Sequence, residues 1–221
     1  TGKYESVSVI QADSTDDEVW VIVQRYINGA VCRYIEFFTP ENAVDDWDNV
    51  LVDSSLTLDS PITITGATKA SPVVITAPAH GFSNGDQVKI DNIVGMLELN
   101  SDNTPGTNTY YLIANVTTNT FELQTLVAVN VDGSAYSPYI SGGEVRKMVT
   151  AISGLSHLEG EAVTVQADGV QLTNTLTVSG GAITLPSKAA VVHAGLHYTG
   201  YIQLLKPGDM NTQFKNRRFH L

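Results

Sequence analysis

The residues in this chain that could do chemistry are five histidines, one cysteine and a scatter of carboxylates. The histidines are His80, His157, His193, His197 and His220. The run His193-Ala194-Gly195-Leu196-His197 is the one with metal-ligand spacing, since residues four apart share a helix face. Gly195 in its middle argues against a helix. On an extended chain the same two imidazoles stand ~13 Å apart, too far to share an ion. Both are therefore expected to bond locally. His157, within Gly154-Leu155-Ser156-His157-Leu158-Glu159-Gly160, fits neither a hydrolase triad nor a zinc-protease helix, and His80 is expected to bond a turn backbone group. Cys32 sits in the strand-like run Ala30-Val31-Cys32-Arg33-Tyr34-Ile35. Nothing around it would stabilise a thiolate, so it reads as a buried structural thiol. Asp13, Asp16 and Asp17, and Asp45-Asp46-Trp47-Asp48, lack the alternating ligands and the glycine of a calcium loop. There is no nucleophile elbow, phosphate loop or dinucleotide fingerprint, and no pair of carboxylates is marked out for glycoside hydrolysis. No residue is assigned to catalysis, a cofactor or a metal, and the chain is not expected to be an enzyme. Four tyrosines near loops, Tyr110, Tyr111, Tyr136 and Tyr139, could stack on a glycan through their flat faces. The competing reading places them in the core and rim of a barrel.

The elements that must position these side chains are strands. Val, Ile and Thr number 25, 14 and 23 among 221 residues, and 18 Gly and 8 Pro punctuate them. That mix favours a turn-rich all-β protein and excludes a coiled coil, a collagen-like rod and a disordered acidic tail. No apolar run approaches the ~20 residues of a membrane-spanning helix, so no membrane anchor is expected. With a single cysteine the fold rests on packing rather than on an internal disulfide.

Residues 4–9, 18–26 and 31–38 alternate with period two and read as a three-stranded meander. Asn28-Gly29 supplies the tight turn. Three strands are barely enough to stand alone, so they are expected to pack on something else. Residues 41–60 are acidic, with a short helix or turn followed by an extended stretch over 49–58. From 62 to 148 the texture changes to Thr, Asn and Gly. Strands are expected at 73–76, 87–92, 110–115, 120–124 and 144–149, with a polar loop over 100–109 that carries Pro105-Gly106. In the turn before 87–92, Phe82, Val88 and Ile90 should face the core. Strands at 161–167, 176–179, 182–185, 189–192 and 198–205 follow, with turns at Asp168-Gly169 and Gly180-Gly181. This gives small antiparallel β-barrel or sandwich modules, one inserted into the other. Residues 1–61 and 149–221 form a discontinuous β core, and 62–148 an inserted small β-barrel. A chain that opens without Met, and that stops soon after Asn216-Arg217-Arg218-Phe219, which could begin a further strand or helix, reads as part of a longer protein.

Two resemblances follow from these segments. His80-Gly81-Phe82, Gly85-Asp86-Gln87-Val88, Gly95-Met96, Asn100, Tyr110-Tyr111, Asn119-Thr120-Phe121-Glu122-Leu123 and Ser141-Gly142-Gly143 are similar to the first catalytic cysteine half-domain of ubiquitin-activating enzymes. The similarity spans about residues 66–146. That stretch holds no cysteine, so the resemblance implies a β-barrel scaffold without ubiquitin chemistry. The flanks carry the second. Glu5-Ser6-Val7-Ser8-Val9-Ile10, Asp17-Glu18-Val19-Trp20-Val21-Ile22-Val23-Gln24-Arg25 and Arg33-Tyr34-Ile35-Glu36 come first. The segment 154–163 with Ala167-Asp168-Gly169, then Ser179-Gly180-Gly181-Ala182-Ile183-Thr184-Leu185 and Val192-His193-Ala194-Gly195-Leu196-His197-Tyr198, complete the series. In this order they resemble the tail tubular (nozzle) protein of short-tailed phages.

That resemblance implies a virion protein located in the tail. It implies a homo-oligomer, a hexameric ring in the full-length protein, in contact with other tail proteins and forming part of the DNA exit channel. The charge balance agrees with passage rather than binding. Net charge is −11, and with no basic stripe the chain is a poor partner for phosphates. DNA is expected to pass transiently, without specific binding. Glu5, Glu18 and Glu36 could face such a lumen. The alternative function is a receptor- or glycan-binding module of a phage tail, using the four tyrosines.

Overall fold

The computed structural model describes residues 2–11, 17–38, 50–101 and 108–198. The expected turn or helix near 41–49, the strand beyond Tyr198, Asp13, Asp16, His220 and Pro105-Gly106 lie outside the described residues. The chain is all-β. Its strands in chain order are β1 (Lys3–Ile10), β2 (Glu18–Ile27), β3 (Ala30–Phe37), β4 (Asp53–Leu58), β5 (Ile62–Thr63), β6 (Gly66–Ala67), β7 (Val74–Thr76), β8 (Gln87–Val94), β9 (Tyr110–Ala114), β10 (Thr120–Gln124), β11 (Ser141–Lys147), β12 (Val149–Ser153), β13 (Ala162–Ala167), β14 (Val170–Gln171), β15 (Leu176–Thr177), β16 (Ala182–Ala189) and β17 (Val192–Leu196). Every strand pair is antiparallel.

The first three strands form the meander β1-β2-β3. Its turn is made by Asn28 and Gly29, both at positive φ (45° and 79°). That is the backbone a two-residue hairpin turn requires, and one that Asn and Gly adopt cheaply. In β2 the odd positions Val21, Val23, Arg25 and Ile27 are buried, while Ile22 and Tyr26 are exposed. Across β2 and β3 the sheet therefore has one covered and one open face, while β1 is exposed throughout.

A seven-stranded sheet in the order β5-β11-β8-β9-β10-β7-β6 uses residues 62–147. Its two edge strands belong to one continuous run. Ile62 and Thr63 pair with β11, whereas Gly66 and Ala67 pair with β7. Between them the Ile64 N–H reaches Gly143 O and the Thr65 N–H reaches Thr76 O. The sheet curls as a half-barrel around its own core, where Ile75, Val88, Ile90, Ile113, Phe121 and Leu123 are fully buried. Phe82 is buried as well, so the three residues expected at this core all face it.

The remaining strands form a base. β4 pairs with β17, β17 with β13, and β13 with β14 and β15, while β12 pairs with β16. Ile152, Leu155, Leu158, Val163, Val165 and Val192 fill its core, and Ile27 from the meander joins them. β17 passes very close to β4 at Gly195. A Cβ there would lie 2.6 Å from the Asp53 carbonyl oxygen, which is why only glycine fits.

Two expectations are corrected here. The segment 182–185 was to stop before Pro186, and 189–192 was to be a separate strand. Instead β16 runs to Ala189. Pro186 lies within the register break between Thr184 and Ala189, on a strand paired only with β12, where a missing N–H costs no ladder bond. Ala190 and Val191 form a connection before β17, because their N–H groups are taken by a carboxylate described below. Cys32 is only half-buried, against the core of the base.

Candidate functional site

The residues with catalytic character do not converge. His193 is buried in β17, with its Nδ1 2.8 Å from Thr57 Oγ1. His197 follows the end of that strand and is exposed, so the pair does not share a face of one element. His157 sits in a 3-10 turn, with its Nε2 3.0 Å from Ser54 O. His80 Nδ1 accepts the Phe82 N–H at 3.0 Å, and its ring meets Phe121 edge-on, with centroids 5.2 Å apart. Asp17 is exposed. Among the described residues, no three His, Cys, Asp or Glu side chains come close enough to hold a metal.

The four tyrosines do not present one stacking surface. Tyr111 is buried, and burial, with a smaller push from Tyr136, moves its phenol up to about 12. Tyr110, on the opposite face of β9, donates to Asp168 Oδ2 at 3.0 Å. Its phenol is raised too, first by burial and then by that carboxylate. Tyr136 and Tyr139 pack partly buried against the core of the half-barrel. The Tyr139 hydroxyl donates to Gly142 O at 3.0 Å.

Two features stand out, of which only the second was expected from the sequence. One is a polar junction between the half-barrel and the base. Asp168 is buried in the turn after β13, at φ 46°. Its carboxylate accepts the Ala190 N–H at 3.1 Å, the Val191 N–H at 2.9 Å and the Tyr110 hydroxyl. Nearby, Arg146 of β11 gathers three carboxylates. Asp59 lies at 2.6 Å, Glu144 at 3.0 Å and Asp91 at 3.3 Å. Asp91 also lies 3.7 Å from Lys89 Nζ. Lys89 and Asp91 are almost wholly buried. Burial lowers the Lys89 ammonium and raises the Asp91 carboxyl, and each partner's charge offsets part of that shift. These groups come from β8, β11 and the link between β4 and β5, so no local motif announces them. A cavity of about 450 Å³ beside Tyr110 and Asp168 separates the two units there.

The other is the meander. Its covered face is pinned to the base. Tyr34 donates to His157 O at 2.8 Å, the Asn28 N–H donates to Glu161 Oε1 at 2.8 Å, and Arg25 pairs with Glu36 at 2.6 Å and with Asp53 at 3.5 Å. The opposite face carries Ile22, Tyr26, Val31, Ile35 and Phe37 in the open. Cross-strand pairing places Ile22 beside Ile35, Tyr26 beside Val31, and Trp20 beside Phe37. The last two rings lie 5.1 Å apart. Gln24 pairs with Arg33 between the Tyr26 and Val31 pair and the other two, so the apolar stripe is interrupted there. Of the acids once considered for a lumen, Glu36 is tied to Arg25, Glu5 to Arg33 at 2.6 Å, and Glu18 accepts the Trp20 indole N–H at 2.9 Å.

The class defined by these observations is an all-β protein in which a half-barrel with its own core stands on a second β unit through a buried polar junction. Residues 71–149 match the family model of the ubiquitin-activating enzyme E1 FCCH domain, which covers about a third of the chain. The half-barrel is similar to such modules over that stretch, which has no cysteine. The chain has no match among curated proteins.

Proposed function

We propose that this chain is a structural component of a phage tail tube or nozzle, forming part of the wall of the DNA exit channel and acting as one of several identical subunits. The observation that carries this reading is the meander. Its two outer strands, β1 and β3, take no further ladder partner among the described residues, and one face of the sheet is an uncovered apolar stripe. Such a sheet gains stability when neighbours cover it, and a closed set of identical subunits supplies them. The ordered resemblance of the flanks to tail tubular proteins supports the same reading. So does the charge of −11, which disfavours adhesion of DNA to a wall it must slide past. The mechanism is assembly: strands and apolar side chains bury against neighbours, while acidic groups keep the phosphate backbone off.

The test is electron microscopy of phage particles labelled with antibody against this chain. Label at the narrow tail is the expected result. Label on fibres would replace this reading with receptor binding, and unlabelled intact virions would overturn it.

A further inference from the structure

We propose that the open face of the meander, centred on Ile22 and Ile35, is the surface on which a second copy of this chain docks. This deepens the homo-oligomer reading above and rests on it. Ile35 is 74% exposed, Tyr26 68%, Val31 54%, Phe37 53% and Ile22 39%. Together with part of Trp20 they offer on the order of 600 Å² of apolar surface, in two patches on either side of Gln24 and Arg33. With an equal loss on the neighbour, about 1,200 Å² would be buried, the lower bound for a specific stable interface.

Charge selects the occupant. The chain carries −11, so most of its surface repels another copy. The charged side chains on this face are Lys3, Glu5, Glu18 and Arg33. They balance, and Arg33 and Glu5 already neutralise each other. The face is thus an apolar, net-neutral part of an acidic molecule, where two like-charged copies meet at low electrostatic cost. A basic partner would find nothing to pair with here. The covered face fixes the sheet to the base through Tyr34, Arg25 and Asn28, so the stripe is presented without reordering.

The experiment measures the mass of the chain by light scattering across a concentration series, with Ile35→Lys and Val127→Lys alongside. Val127 is equally open, 80% exposed, but lies on the half-barrel. Circular dichroism of each variant confirms folding, which an exposed position should leave intact. The expected result is association of the parent chain, weakened about tenfold or more by Ile35→Lys and unchanged by Val127→Lys. A parent chain that stays monomeric at the highest concentration overturns the proposal, as does association that Ile35→Lys leaves untouched. Particle labelling separates the two ideas. A monomeric chain found at the tail removes this interface and keeps the function, while an associating chain absent from virions does the reverse.

Discussion

Replacing Asp168 by Ala should be among the most damaging single changes in the base, and its cost can be worked out from the junction. Three donors converge on the carboxylate: the N–H groups of Ala190 and Val191, both in buried residues, and the Tyr110 hydroxyl. Alanine leaves two backbone N–H groups without an acceptor, at ~1–3 kcal/mol each. It also places a Cβ without a helpful polar group at a φ of 46°, which adds ~1 kcal/mol. The Tyr110 hydroxyl can turn towards the adjoining cavity, so it adds little. The expected loss is about 4 kcal/mol, read as a shift of the urea midpoint at constant slope. Asp168→Asn keeps an acceptor oxygen and tolerates the left-handed backbone, so it should cost about 1 kcal/mol. A second signature accompanies it. Without the neighbouring carboxylate, the Tyr110 phenol should titrate lower than in the parent, while burial still holds it above its ordinary value. The reasoning fails if Ala costs less than about 1 kcal/mol, or if Asn costs as much as Ala.

Other perturbations probe the remaining elements. Phe121→Ala removes a fully buried ring that packs on Phe82 and His80, and should cost about 4 kcal/mol in denaturant unfolding of the half-barrel. Gly195→Ala forces a Cβ against the Asp53 carbonyl and should cost about 1–3 kcal/mol, seen as a lower midpoint and faster hydrogen exchange along β4. Tyr111 makes stability fall at alkaline pH. Its phenol titrates near 12 in the fold against 10.0 for an ordinary tyrosine. Between those values the unfolded chain has released its proton and the folded chain has not, so each step up in pH favours unfolding. The loss reaches roughly 2–3 kcal/mol by the top of that window, and Tyr111→Phe should flatten the slope.

The parts that could be read from sequence share one property: their physical determinants are local. Alternation at 18–26 with Asn28-Gly29 specifies a hairpin whatever surrounds it, and β2, β3 and their turn stand where the pattern puts them. β10 matches its expected limits to the residue. The failures share the opposite property. β5 and β6 are two residues each and exist because one run is captured by β11 on one side and by β7 on the other. β16 continues through Pro186 because it has a partner on one side only. The connection at 190–191 replaces an expected strand because a carboxylate 22 residues earlier in the chain, Asp168, takes its N–H groups. Asp168-Gly169 was legible as a turn. That its side chain would tie the base to Tyr110, 58 residues away, was not.

The same distinction separates the two kinds of damage that substitutions should cause. The half-barrel encloses its own core, and the charged groups of the junction pair within the chain, so changes at Phe121, Tyr111 or Asp168 act on folding. The meander is different. Its covered face borrows the base, through Ile27 in the core and Tyr34 on His157, and its open face has no partner among the described residues. Substitutions at Ile35 or Tyr26 remove little from the folded monomer, because those side chains are already in water. An exposed isoleucine on a strand is tolerated singly, but six apolar side chains on one face of two strands lower solubility unless they are covered. If the stripe served only the monomer, a charge at Ile35 would raise solubility and change nothing else. If it serves assembly, that charge leaves the unfolding midpoint in place and weakens association about tenfold or more.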